Sequence, residues 1–173
     1  MAQKADTLDL SRFVPSPGDG RRVDVDVAPG RLVYGGQPYE VSGGTAPARL
    51  DLSRTTSGYA LRLRFDAPLT GPCVRCLEPA AQTISVDARE VAERNAVEEE
   101  LQSPYVAEDE LDLAGWAHDA LALAMPEQFL CRPECAGLCG VCGESLNDAA
   151  PGAHDHESAP DPRWDKLREL QSE

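Results

Sequence analysis

Apolar and charged residues alternate in three stretches, Val23-Asp24-Val25-Asp26-Val27, Leu61-Arg62-Leu63-Arg64-Phe65 and the run from Thr83 to Val91, with a weaker echo at Leu50 and Leu52. A period of two puts successive side chains on opposite faces, so each stretch predicts a strand with one packed and one solvated face. Gly-bearing turns separate the strands before residue 70: Pro29-Gly30, Gly35-Gly36, Gly43-Gly44 and Ser57-Gly58. No helical crossover stands between these segments, so the strands are expected to pair antiparallel.

The pattern changes after Val91. From Glu93 to Asp112 acids dominate, with Glu98-Glu99-Glu100 and Glu108-Asp109-Glu110 on either side of Ser103-Pro104. Such runs predict a solvated connector, and their charge would also suit a grip on a basic partner. A period of 3.6 follows: Leu113, Trp116, Ala117, Ala120, Leu121 and Ala124 form one stripe, capped by Asp112 and ended by Pro126. Trp116 belongs to the core on this pattern, while His118 lies off the stripe and is expected at the surface without a catalytic role. Farther on, Asn147 to Pro160 is polar, and Asp161-Pro162-Arg163-Trp164 has the N-cap and first-turn Pro of a short terminal helix that would turn Trp164 and Leu167 to the body. The fold class expected is α+β: an antiparallel sheet, then a helix, a cysteine-rich knuckle region and a short C-terminal helix. Residues 1–20, ending in Val14-Pro-Ser-Pro-Gly-Asp-Gly20, are expected to be a flexible leader, 21–146 a single α+β domain with a metal site, and 147–173 a polar linker with the terminal helix.

A chain of 173 residues suffices for one such body, although 5% aromatics with 14 Gly and 14 Pro predict a modest core and long loops. No apolar stretch follows Lys4, so a secretory signal is not expected. The most apolar segment, Leu111 to Met125, is too short for a membrane span and carries Asp112, His118 and Asp119. A cytoplasmic location is therefore expected, where closely spaced thiols hold metal more often than they form disulfides. The net charge of −14 argues against strong binding to naked nucleic acid, since that affinity comes from Lys and Arg displacing counterions. Docking onto a basic protein remains compatible with it.

The six cysteines supply the candidate chemistry: Cys73-Val-Arg-Cys76, and Cys131-Arg-Pro-Glu-Cys135-Ala-Gly-Leu-Cys139-Gly-Val-Cys142-Gly143. Two thiolates separated by two residues can point at one ion from a tight turn, and a tetrahedral Zn²⁺ takes four ligands at about 2.3 Å from each sulfur. Cys139-Gly-Val-Cys142-Gly143 has the form of a zinc knuckle. Two groupings are open: a local site of Cys131, Cys135, Cys139 and Cys142, or a shared site pairing Cys73 and Cys76 with either Cys131/Cys135 or Cys139/Cys142. The shared site is favoured, because a CxxC beside a strand has little structural reason to exist unless something binds it. His154 and His156 could supplement a site, but the polar segment around them is better explained as a solvated loop. Cys135-x₃-Cys139-x₂-Cys142 has the spacing of a radical-SAM cluster, yet that chemistry needs a large barrel and only 31 residues follow Cys142. A thioredoxin-like CxxC would open a helix in a βαβ unit, a pattern missing here.

Taken in order, Gly71-Pro72-Cys73-Val-Arg-Cys76-Leu77-Glu78-Pro79, Glu108-Asp109-Glu110-Leu-Asp-Leu113, Ala124-Met125-Pro126, the run from Leu130 to Asn147 and the closing Asp161-Pro162-Arg163-Trp164 resemble the YceD family, the large ribosomal RNA subunit accumulation proteins of bacteria and plastids. The resemblance covers most of residues 60 to 170. It implies a non-enzymatic ribosome-assembly factor acting in the synthesis, processing or stability of 23S ribosomal RNA, with no catalytic residues to carry over. A structural zinc on the cysteines and a basic ribosomal or rRNA-processing protein as partner fit that role. Gly140 stands where the family often has Pro, which loosens the last knuckle. The competing class is a metal- or thiol-dependent redox enzyme using the CxxC cysteines. A structural site closes all four positions with protein ligands, whereas a catalytic one keeps a position open.

Overall fold

The computed structural model describes residues 3, 4, 6–94, 96, 98 and 101–156. The terminal helix expected from Asp161 lies outside them. Among the described residues ten strands and one α-helix follow in the order β1 (Gln3–Lys4), β2 (Thr7–Asp9), β3 (Gly20–Val27), β4 (Arg31–Tyr34), β5 (Gln37–Val41), β6 (Ala46–Arg54), β7 (Gly58–Pro72), β8 (Pro79–Glu93), β9 (Val106–Ala107), β10 (Glu110–Asp112) and α1 (Leu113–Ala124), with a 3-10 turn at Leu10–Arg12. The architecture is mostly antiparallel sheet with one helix and a cysteine cluster.

β7 organises the main sheet. It pairs with β8 along its whole length, with β6 from Tyr59 to Phe65, and with β5 at Leu69 and Thr70. β3 lies outside β6, β4 outside β5, and the short β1 adds the one parallel pairing among the described strands. The alternation seen in sequence sets the faces: Leu50 opposes Leu63, Leu52 opposes Leu61 and Phe65 opposes Val86, all buried. Between them Arg62 reaches Asp87 at 2.6 Å and Arg22 reaches Asp51 at 2.6 Å on the solvated face. The β4–β5 turn uses Gly35 and Gly36 at φ 57° and 77°, the left-handed pair that a two-residue hairpin requires.

α1 lies against β8, β2 and β3 and buries Leu113, Trp116, Ala117, Ala120 and Leu121. Each large side chain so covered contributes about 2 kcal/mol. The Asp112 carboxylate accepts the Gly115 N–H at 2.9 Å, which starts the helix as expected. His118 is not a free surface residue: its Nδ1 lies 2.7 Å from the Pro29 carbonyl, to which it donates, fastening the helix to the β3–β4 turn.

Residues 7–14 differ from the expected flexible leader. β2 pairs with β10 and β10 with β9, forming a second, three-stranded sheet, and Leu8, Leu10 and Val14 are buried in the same core as the main sheet. Part of the acidic segment is also engaged by the chain itself. Asp109, at φ 71°, accepts from the Tyr59 hydroxyl at 2.7 Å and pairs with Arg54 and Arg94. Burial raises the Tyr59 hydroxyl to about 12, helped by its bond to Asp109, while that same bond and Arg94 lower the Asp109 carboxyl.

Candidate metal centre

The hairpin between β7 and β8 carries the first cysteine pair, as the flanking alternation predicts. Cys73 N–H donates to the Glu78 carbonyl at 2.8 Å and Leu77 N–H to the Cys73 carbonyl at 2.9 Å, closing a tight knuckle. Leu77, which follows the second cysteine, is held at φ 62° and is 58% exposed. Opposite this turn runs the segment after α1. Val74 N–H donates to the Phe129 carbonyl at 2.9 Å, the Gln82 amide to the Leu130 carbonyl at 2.9 Å, and the Arg75 guanidinium to the Cys135 carbonyl at 2.9 Å. These bonds fasten 129–135 onto the hairpin independently of any ion.

An aromatic floor supports the turn. Tyr39 and Phe129 are both fully buried, with ring centroids 5.0 Å apart in an edge arrangement, and the Tyr39 hydroxyl donates to the Pro72 carbonyl at 3.0 Å. Burial raises the Tyr39 hydroxyl above its ordinary value, with Cys73 adding to the effect. Gly71 makes this packing possible, because a Cβ there would stand 2.2 Å from Cδ1 of Tyr39.

Four sulfurs converge on the result. Cys73 Sγ lies 3.7 Å from Cys135 Sγ and Cys76 Sγ 3.6 Å from Cys131 Sγ, and all four lie within 4.8 Å of one another. A tetrahedron with Zn–S of about 2.3 Å has sulfur–sulfur edges of about 3.8 Å, so the spacing suits a metal ion. It is far beyond the roughly 2.05 Å of a disulfide, and the cysteines are free thiols. Thus the structure joins Cys73/Cys76 to Cys131/Cys135. It does not assemble the local group of Cys131, Cys135, Cys139 and Cys142.

Cys73 and Cys131 shift in opposite directions. Burial opposes ionisation of Cys73, yet N–H groups of Cys76, Arg75 and Cys131 directed at its sulfur outweigh it and bring the thiol to about 6. Cys131 moves the other way, to about 12, because burial and the thiols of Cys76, Cys135 and Cys73 all disfavour another negative charge. A divalent ion removes that conflict, since a coordinating thiol is deprotonated outright.

Cys139 and Cys142 gather instead with His154 and His156, and one ligand atom from each lies within 4.8 Å of the others. This second group can also hold a metal. N–H groups of Cys142 and Val141 directed at Cys139 lower its thiol to about 7. In sequence both histidines fall in a polar segment that reads as a solvated loop. The available signal was a CxxC followed closely by His-Asp-His, four metal-ligand residues within one short segment.

Fold and site together define a class: a small, mainly antiparallel protein whose cysteines gather distant segments at points that can take metal. The chain belongs to the YceD family, since the family model described as large ribosomal RNA subunit accumulation protein YceD matches residues 61–171. It is also similar to uncharacterized proteins of Mycobacterium bovis and Mycobacterium tuberculosis, 37% identical over 126 residues, and to one of Mycobacterium leprae, 30% identical over 132. These matches cover 70–72% of this chain, which spans 59% of the length of those relatives. No solved structure matches. Among the described residues no helix is long and apolar enough to cross a membrane.

Proposed function

We propose that the protein is a non-enzymatic assembly factor acting in the synthesis, processing or stability of 23S ribosomal RNA, with a structural zinc held by Cys73, Cys76, Cys131 and Cys135. The family match over 61–171 carries the functional part. Zinc is favoured by the four-sulfur donor set and its near-tetrahedral spacing. Four thiolates fill the coordination sphere and leave no position for water or substrate, as a structural role requires. The redox alternative draws no support from the geometry, because Cys73 and Cys76 sit on a β-hairpin and not at a helix N-terminus. On this reading the protein works in the cytoplasm through a basic ribosomal or rRNA-processing protein, as its charge of −14 favours.

The test is deletion of the gene in its host, with the 23S to 16S ratio measured in growing cells. A lowered ratio, restored by the wild-type gene and not by Cys76→Ser, is expected. An unchanged ratio, with normal precursor processing, would reject the role. A tagged pull-down identifying protein and RNA together would name the partner.

A further inference from the structure

The four-cysteine clasp leaves Cys139, Cys142 and both histidines of 154–156 unexplained. These cysteines form a second knuckle that repeats the first bond for bond. Cys139 N–H donates to the Glu144 carbonyl at 2.8 Å and Gly143 N–H to the Cys139 carbonyl at 2.9 Å, matching Cys73 with Glu78 and Leu77 with Cys73 at the same distances. Gly143 has φ 75° where Leu77 has φ 62°. An antiparallel bridge from Leu138 to Ser145 flanks the second turn as the pairing of Pro72 with Pro79 flanks the first.

What faces this knuckle is imidazole. The chain reverses at 150–153, where Ala153 N–H donates to the Ala150 carbonyl at 3.0 Å and Gly152 has φ 82°. That reversal brings His154 Nδ1 to 3.3 Å from Cys142 Sγ and the two imidazole centroids to 5.8 Å. With Zn–S of about 2.3 Å and Zn–N of about 2.0 Å, a tetrahedral ion sets a sulfur–nitrogen edge of about 3.5 Å.

We propose that Cys139, Cys142, His154 and His156 form a second zinc site, of Cys₂His₂ type, which closes residues 139–156 into a ring. A solvated loop accounts for two surface histidines, but not for their convergence with both thiols of a knuckle built like the clasp's. The two sites share no ligand, so this inference does not rest on the first ion. Cys142 is exposed, whereas Cys73, Cys76 and Cys135 are buried. A chelator should therefore remove the second ion first.

The test is zinc content per chain of the full-length protein by elemental analysis, together with release kinetics in excess chelator. Two ions are expected for the wild type, leaving in a fast and a slow phase. His154→Ala/His156→Ala should keep one ion and lose the fast phase, and Cys142→Ser at its exposed position should do the same. Cobalt reconstitution supplies a second readout, since replacing two thiolates by imidazoles moves the ligand-field bands to shorter wavelength. The double histidine variant should lose that component and keep the four-thiolate spectrum. Unchanged zinc content in both variants would overturn the second site. Loss of one ion only in Cys135→Ser, with the histidine variant indistinguishable from wild type, would leave the clasp and reject this proposal. The converse would reject the clasp and leave it standing.

Discussion

Removing Cys135 tests the clasp most directly. Its sulfur faces Cys73, 62 residues earlier, and the chain between them includes β8, the acidic segment and α1. Closing a loop of that length lowers the unfolded chain's entropy by an amount worth about 4 kcal/mol in the chain-entropy treatment of cross-links. Cys135→Ser keeps the side-chain size but leaves three thiols that hold zinc weakly, and it buries a hydroxyl whose hydrogen bonding costs about 1 kcal/mol if unmet. With a urea dependence of about 2 kcal/mol/M, a loss of about 4 kcal/mol lowers the unfolding midpoint by about 2 M. The assay is urea unfolding of zinc-loaded protein followed by circular dichroism, with wild type in chelator alongside. Chelated wild type should fall at least as far, and chelator should lower the variant's midpoint much less. A Cys135→Ser protein with unchanged midpoint and undiminished zinc would refute the reasoning, because neither the loop nor the ion would then depend on that sulfur.

Gly71→Ala should lower stability by about 1–3 kcal/mol, read as a fall in melting temperature, since its Cβ would displace the Tyr39 ring packed on Phe129. Leu77→Gly should do the opposite. A non-glycine residue in the left-handed region costs about 1–2 kcal/mol, and the flexibility that Gly adds to the unfolded chain returns about half of it, so a gain of about 0.5–1 kcal/mol is expected at this exposed position. For Asp109 and Tyr59 the pH dependence has two limbs. The lowered Asp109 carboxyl contributes stability above the ordinary carboxylate value near 3.8, lost as pH falls through its folded value. The raised Tyr59 hydroxyl contributes below 10.0, lost as pH climbs towards about 12. Asp109→Asn, which tolerates the left-handed backbone, should shrink the acid limb and shift tyrosinate absorbance to lower pH; identical titrations would count against this pairing.

Where the sequence pattern is local, it foretells the structure closely. The alternation of 61–65 and 83–91 locates the two long strands, and the hairpin between them follows with Cys73 and Cys76 at its tip. Asp112 and Pro126 bracket a helix observed at Leu113–Ala124. What escapes the pattern depends on distant partners. Leu8 and Leu10 are isolated apolar residues in a polar stretch, and their burial requires β10, about a hundred residues onward. Asp109 looks like one more surface acid until Tyr59, Arg54 and Arg94 converge on it from the sheet side. His118 points off its own helical stripe because its partner, the Pro29 carbonyl, belongs to another turn. Among the cysteines, spacing identifies the chemistry but not the partition, since any two pairs satisfy it. The hydrogen bonds from Val74, Arg75 and Gln82 to the segment after the helix bring Cys131 and Cys135 to the first hairpin.

The ion pairs bear on how such a chain could serve ribosomal RNA. Of 16 basic residues, nine arginines, at 12, 22, 31, 49, 54, 62, 64, 94 and 132, lie in ion pairs with the chain's own acids among the described residues. Most of these pairs are exposed, and each adds well under about 1 kcal/mol to stability. Their larger effect is on recognition. A guanidinium already facing a carboxylate releases no counterion when it meets a phosphate, so it adds little to nucleic-acid affinity. Arg62 and Arg64, the charged residues between Leu61 and Phe65, face Asp87 and Asp51. With nine of its arginines so paired and a surplus of acid, the proposed route to ribosomal RNA through a basic protein asks less of this chain than direct contact does.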